Sequence, residues 1–347
     1  MVKTIKIGNR IIGEGRPCFI IAEAGVNHNG KIEIAKALVD TAVKCGADAV
    51  KFQTWITDEL LTKNSVMPDY QKERSNANSE YELIKRLELS FHDFQELKKY
   101  AESKGIIFFS TPDDFKSAEF LYKLGVPCFK VGSGEVNNLP FLEFLAKKGL
   151  PIILSTGMST LSEVKRGVQC ITKYNKRLIL LHCTSSYPTP YEDVNLRAML
   201  TLKKIHPFVG YSDHTLGVVV PIAARALGAM VLEKHFTLDK NMKGPDHAAS
   251  ADPGELKLIV DSIRTLDKAL GSFSKKPTKA ELKMRKVMRK YLVANTPLKA
   301  GTTISLDMLT FKRTGFGIPV DESYNIVGKT ITRDLEKDTP LTYDMLK

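Results

Sequence analysis

The chain predicts a (β/α)8 barrel followed by a small β-rich module, on three observations. Eight short apolar runs are spaced along the first 240 residues, stretches of helical period lie between most of them, and nearly every run ends in a reactive or phosphate-friendly side chain. Parallel strands buried on both faces read as continuous apolar runs, and each needs a crossover helix, so this alternation is the sequence form of a barrel. In that fold the active site collects at the carboxyl ends of the strands. The polar groups that end the runs are therefore expected at one mouth.

Taken in order, residues 5–12 read as a hairpin turning through Gly8 and Asn9, placed to plug the barrel floor. The first barrel run, residues 18–22, ends at Glu23; the second, 49–50, at Lys51 and Gln53; the third, 106–109, at Ser110 and Thr111; the fourth, 128–129, at Lys130 and Ser133. The fifth, 152–154, ends at Ser155 and Thr156, and the sixth, 178–181, runs into His182, Cys183, Thr184 and Ser185. The seventh, 208–209, leads to Ser212, Asp213 and His214, and the eighth, 230–232, to Glu233 and His235. Helical periodicity recurs over residues 32–45, 91–104, 117–124, 163–173, 217–226 and 255–270. Turn-rich, charged residues 271–277 suit a domain boundary, which gives a barrel domain over 1–272, a linker over 273–288 and a module over 289–347. Within that module residues 298–309 echo 335–346, each copy ending in Asp-Met-Leu, so a pseudo-symmetric β-rich unit is expected. About 60 residues is marginal for an independent fold, so the module is expected to pack on something.

A chain of 347 residues, 43% hydrophobic, can bury one large core and a smaller one. No apolar run approaches the length of about 20 residues needed to span a bilayer, and the first residues lack the apolar core of a signal peptide. A cytoplasmic location with no membrane partner is expected. Cys18, Cys45, Cys128, Cys170 and Cys183 are odd in number and form no CxxC pair, so buried reduced thiols are expected. The net charge of +12 is concentrated late: residues 273–347 hold 15 Lys/Arg against 8 Asp/Glu, an excess of +7. Lys279, Lys283, Lys286 and Lys290 at helical spacing read as a solvated linker helix, and no nucleic-acid partner is expected. A basic enzyme acting on doubly anionic substrates fits the same charge.

The mouth carries the chemistry. Glu233 and His235, two apart on one strand, share a face, and His214 ends the neighbouring strand. Two imidazoles beside Asp213 and Glu233 suit a divalent metal with open positions. Lys51 and Lys130, with Thr111, Ser133, Ser155 and Ser185, offer cations and hydroxyls able to hold a phosphate or carboxylate. A strand lysine could instead form a Schiff base. Glu23 is a candidate acid or base, or else a salt-bridge partner of a lysine.

The segments Ala22-Glu23-Ala24-Gly25-Val26-Asn27-His28-Asn29-Gly30, Val50-Lys51-Phe52-Gln53-Thr54, Lys130-Val131-Gly132-Ser133-Gly134-Glu135, Tyr211-Ser212-Asp213-His214-Thr215 and Glu233-Lys234-His235-Phe236 resemble those of the sialic acid synthase (N-acetylneuraminate synthase) family. Phe109-Ser110-Thr111-Pro112, Leu154-Ser155-Thr156-Gly157-Met158, Thr184-Ser185-Ser186-Tyr187-Pro188 and Gly244-Pro245-Asp246-His247 extend the likeness, and the C-terminal repeat resembles that family's antifreeze-like, or SAF, domain. The resemblance runs in order along essentially the whole chain. It implies metal-dependent condensation of phosphoenolpyruvate with N-acetylmannosamine, as the open-chain aldehyde, to N-acetylneuraminic acid and phosphate. The alternative it implies is a legionaminic or pseudaminic acid synthase acting on a 2,4-diacetamido-trideoxyhexose.

Residue by residue, the resemblance implies a divalent cation, Mn2+ before Mg2+ or Co2+, on His214 and His235. It implies phosphoenolpyruvate on Lys51, Thr111, Lys130, Ser133, Ser155 and Ser185, and the sugar on Gln53, Glu135, Tyr187 and Asp246. Glu23 becomes the acid/base near the reacting centre. Arg313 matches an arginine that the antifreeze-like domain lends to the partner's barrel, which implies a homodimer with exchanged C-terminal domains. Here Thr314 stands where the family's loop has proline. A binding or ice-interacting protein is disfavoured because the mouth residues are intact, and a related aldolase or ketodeoxy-sugar-phosphate synthase remains an alternative.

Overall fold

The computed structural model describes residues 3–75 and 77–347, which divide into two compact units, Met1–Gly271 and Ser272–Lys347. The first begins with strands β1 (Ile5–Ile7) and β2 (Arg10–Ile12), paired antiparallel with Ile7 opposite Arg10. Gly8 opens the two-residue turn at a φ of 56°, a conformation that glycine reaches without the Cβ clash of other residues. A Cβ there would also stand 3.0 Å from Ile107, at the floor end of a barrel strand. Ile5, Ile7 and Ile12 join the main core, so the hairpin plugs the floor as expected. Asp48 anchors the same end: it binds Arg10 at 2.8 Å and Arg264 at 2.6 Å, and accepts from the Ile20 N–H at 2.8 Å.

The eight barrel strands are β3 (Phe19–Gly25), β4 (Ala49–Thr54), β5 (Ile107–Pro112), β6 (Phe129–Val131), β7 (Ile152–Ser155), β8 (Leu178–His182), β9 (Val209–Asp213) and β10 (Val231–His235). All pair in parallel in the order 5-4-3-10-9-8-7-6, so the first and last strands of the series lie side by side. The β3–β10 register runs from Phe19 opposite Val231 to Glu23 opposite His235. The sheet nearly closes; the seam without ladder pairing separates β5 from β6, which at three residues is short. Nearly every strand residue is buried, because one face fills the barrel and the other meets helices.

The helices expected over 32–45, 91–104, 117–124, 163–173, 217–226 and 255–270 occur as Ile32–Cys45, Phe91–Ser103, Phe115–Leu124, Leu161–Tyr174, Val219–Ala226 and Pro253–Ala269. Several of their starts are written in capping boxes, such as Ser90 with Asp93 and Thr160 with Glu163. Periodicity missed helix Leu139–Lys147, which is too apolar to show a clear polar face, and the six-residue Ala198–Lys203. It also missed an excursion between β4 and β5 with helices Thr57–Leu60, Asp69–Arg74 and Glu80–Leu87. That excursion has a core of its own, in which Val26, Trp55, Met67, Leu83 and Leu87 are buried.

In the second unit, helix Lys279–Met288 buries none of its residues. Strands β11 (Tyr291–Ala294) and β12 (Leu309–Lys312) pair antiparallel over a core that includes Leu292, Ile304, Ile318 and Leu341. The repeat is structural: Leu298 and Leu335 exchange both backbone hydrogen bonds at 2.8 Å, and each Asp-Met-Leu begins in a 3-10 turn, Leu306–Met308 and Tyr343–Met345. All five cysteines are free, and four are buried. Among the described residues no helix is long and apolar enough to cross a membrane.

Candidate active site

Register brings the site together. Glu23 on β3 stands opposite both Lys51 on β4 and His235 on β10, so three strands deliver reactive groups at one level near the carboxyl end of the barrel. Lys51 is 2% exposed; its Nζ lies 2.9 Å from Glu23 Oε1, donates to Thr111 Oγ1 at 2.8 Å and approaches Glu233 Oε2 at 3.8 Å. Lys130 donates to Ser155 Oγ at 2.8 Å and lies 3.4 Å from Glu233 Oε1. Glu233, which also accepts from Ser212 at 3.0 Å, thus sits between two buried ammonium groups.

Burial disfavours every one of these charges, and the neighbours decide who keeps it. Burial pushes the Glu23 carboxyl up to about 8, with Glu233 adding to the rise and Lys51 opposing it. For Lys51 burial opposes the charge, but Glu23 and Glu233 outweigh it and hold the ammonium above its ordinary value. Burial pulls Lys130 below its ordinary value despite Glu233. Glu233 stays below the usual carboxylate value because Lys130 and Lys51 outweigh its burial.

His214 and His235 lie with ring centroids 5.4 Å apart, and Tyr187 packs 4.3 Å and 5.8 Å from them. His214 Nδ1 is 2.6 Å from the Thr184 carbonyl, which only accepts, so Nδ1 carries the proton and Nε2 presents a lone pair. His235 Nδ1 is buried without a hydrogen-bond partner and lies 3.8 Å from Asp246 Oδ2. Burial lowers both imidazoles, so both are neutral at neutral pH. Two adjacent neutral imidazoles, one with an orphaned ring nitrogen, fit a divalent first-row metal. Among the described residues no group of three or more His, Cys, Asp or Glu is arranged to hold a metal, so a cation here would take its other ligands from water or substrate.

One cavity is lined by ten of the expected residues: Glu23, Lys51, Gln53, Thr111, Lys130, Ser133, Ser155, Tyr187, His214 and His235. Ser185 lines an adjoining cavity that shares Cys183 with the first. At their junction a Cβ on Gly157 would fall 2.3 Å from Ser185 Oγ and 2.9 Å from both Ser133 Oγ and Cys183 Sγ, so any larger residue there would displace these side chains. Glu135 is half-buried just after β6 and accepts from Asn138 at 2.6 Å. Asp246, pushed up to about 6 by burial, lies on the loop after β10. That loop is tied to the one after β3 by Asn27 with Ser250 at 2.9 Å and His247 with Asn29 at 3.2 Å. Arg313 is exposed on the second unit, just after β12.

The expected site set omitted Glu233, Asp113, Ser212 and Cys183, all of which line the cavity. Glu233, placed beside the imidazoles by its phase with His235 but given no role of its own, sits between two lysines, and Asp113 could have been found from its phase with Thr111. The Glu23 carboxyl, offered as acid/base or salt-bridge partner, lies 2.9 Å from Lys51 Nζ.

The NeuB family model matches residues 38–275, and the SAF domain model matches residues 289–347. The chain is 46% identical to N,N'-diacetyllegionaminic acid synthase of Legionella pneumophila, covering 96% of each chain. It is 42% identical to N-acetylneuraminate-9-phosphate synthase of Mus musculus, over 95% of this chain and 92% of the other. The solved N-acetylneuraminic acid (sialic acid) synthetase of Leptospira borgpetersenii, in complex with citrate, superposes with a TM-score of 0.74 at 37% identity, covering 82% of this chain and 97% of that one.

Proposed function

This chain belongs to the NeuB family and carries a SAF domain, and from that premise we propose that it condenses phosphoenolpyruvate with the open-chain aldehyde of N-acetylmannosamine, giving N-acetylneuraminic acid and inorganic phosphate. The observation that carries the reading is the pair of buried lysines with their hydroxyl partners, set against two neutral imidazoles in one cavity. Phosphoenolpyruvate carries roughly three negative charges, two on phosphate and one on carboxylate. Lys51 and Lys130, with Thr111, Ser133, Ser155 and Ser185, bind it. The sugar lies against Gln53, Tyr187, Glu135 and Asp246. The decisive assay measures phosphate release, expected only when both substrates are present and in a one-to-one ratio with the new acid.

In the proposed reaction, carbon 3 of phosphoenolpyruvate attacks the aldehyde carbon, forming the C–C bond and leaving cationic character at C2. Water adds to C2, and the C–O bond to phosphate then breaks with its electron pair going to phosphate, which also takes the C2 hydroxyl proton as the ketone forms. A divalent metal on His214 and His235, Mn2+ before Mg2+ or Co2+, would polarise the aldehyde oxygen as a Lewis acid. Glu233 offsets the lysine charges below the reacting carbons. Neutral Glu23 donates the proton that the aldehyde oxygen takes up, then accepts one from the attacking water.

With Glu23 raised to about 8, its acid form persists through neutral pH and is lost as pH rises through that value. The wild-type rate is therefore expected to fall above about pH 8. Glu23→Gln should lower turnover by about 10²-fold, the low end for general acid–base loss because the amide keeps a hydrogen bond. It should also erase that alkaline limb, with the Michaelis constant for phosphoenolpyruvate little changed. A mutant that keeps turnover and loses phosphoenolpyruvate affinity would make Glu23 a structural partner of Lys51 only.

The 46% identity to the Legionella synthase supports a second reading, in which the sugar is a 2,4-diacetamido-trideoxyhexose. Comparing kcat/KM for the two sugars decides between them. We further propose that Arg313 serves the barrel of a second protomer. Arg313→Ala and His235→Ala, each inactive alone, should on mixing recover up to one working site in each heterodimer. No recovery despite demonstrated subunit exchange refutes sharing.

A further inference from the structure

Asp113 lines the reaction cavity but has no part in the chemistry proposed above. The strand register sets its height: Lys51 stands opposite Phe109, Gln53 opposite Thr111 and Thr54 opposite Pro112. Asp113 therefore sits just past the end of β5, four residues above the level of Lys51, or roughly 13 Å along the strand. Its N–H donates to the Thr54 carbonyl at 3.0 Å, which ties it to the tip of β4. Burial first, then Glu135 and Asp114, push its carboxyl up to about 7, against the pull of Lys51, the charge that acts on it most strongly. The cavity thus has a cationic floor, Lys51 and Lys130, and a carboxyl at its rim.

Three buried atoms in this cavity, Glu23 Oε2, Glu233 Oε2 and His235 Nδ1, have no hydrogen-bond partner, the mark of a space that a ligand fills. On the function proposed above, the trianionic substrate occupies the cationic floor and the sugar's aldehyde carbon meets it there. The sugar's far end, its C6, then points to the rim. We propose that Asp113 is a specificity-determining residue of the sugar subsite, accepting a hydrogen bond from an uncharged far end and rejecting one that bears a phosphate. The distinction is real among similar proteins: the mouse relative is named for a 9-phosphate product. Condensation adds three carbons, so C9 of such a product is C6 of the sugar.

The test compares wild type, Asp113→Asn and Asp113→Glu at pH 8, where the carboxylate is ionised, by phosphate release with saturating phosphoenolpyruvate. The sugars are the better uncharged acetamido sugar and N-acetylmannosamine 6-phosphate. Asparagine keeps shape and hydrogen bonding but removes the charge, so the kcat/KM ratio of phosphorylated to uncharged sugar should rise on the order of 10-fold or more. Asp113→Glu should keep the wild-type ratio, and the Michaelis constant for phosphoenolpyruvate should stay unchanged in both. Should Asp113→Asn fail to fold, Asp113→Ser carries the same comparison. A ratio unmoved by charge removal overturns this inference while the proposed function stands. A wild type that releases no phosphate with any acetamido sugar overturns both.

Discussion

Replacing His235 by alanine is expected to lower turnover on the order of 10³-fold at any manganese concentration, while the barrel remains folded. The magnitude follows from the several kcal/mol that a metal Lewis acid contributes to charge development on the aldehyde oxygen. The fold should survive because His235 is the last residue of β10, and alanine keeps the backbone that pairs it with Glu23 at the end of the ladder. Its Nδ1 also makes no protein hydrogen bond, so truncation breaks none there. Chelation of the wild type should reproduce the loss, and added manganese should reverse it there but not in the mutant. Undiminished activity after exhaustive chelation would sink the metal assignment, leaving His235 as a direct contact to substrate.

Lys51→Met is expected to cost both stability and activity. The ammonium is the nearest cation to Glu23, at 2.9 Å, and one of two that flank Glu233, in a site shielded from water. Removing one partner of a buried pair leaves an uncompensated charge, a loss of about 3–5 kcal/mol. Chemical denaturation should register that drop, and kcat/KM for phosphoenolpyruvate should fall on the order of 10³-fold or more as a charged contact to the anion disappears. The double mutant Lys51→Met with Glu233→Gln separates the two effects. It should recover much of the stability, because the carboxylate left with one of its two cations is gone, and none of the activity. A single mutant with wild-type stability would show that Lys130 alone suffices for Glu233.

The same residues show how much was legible in the sequence. The eight runs and their terminal polar groups needed only local pattern, since burial on both faces forces apolar composition and period-two alternation shows which residues share a face. Glu23, Lys51, Lys130 and His235 were found this way, and the Asp-Met-Leu repeat exposed the symmetry of the second unit. The excursion between β4 and β5 was not legible, because its helices are short and packed on their own small core rather than on the barrel. Helix Leu139–Lys147 was hidden by its own apolarity.

What the sequence by itself determined is the inventory: eight strands, the side chains that end them, and the likeness that ties their order to one family. What only the tertiary structure decided is who pairs with whom. Parallel register put Glu23 opposite both Lys51 and His235, residues 28 and 212 positions away. It also set Glu233 between two lysines and raised Asp113 to the rim above them. Those placements fix which carboxyl stays neutral and which stays charged, because a pKa depends on burial and on neighbours across strands, and a linear chain specifies neither until it closes into a barrel.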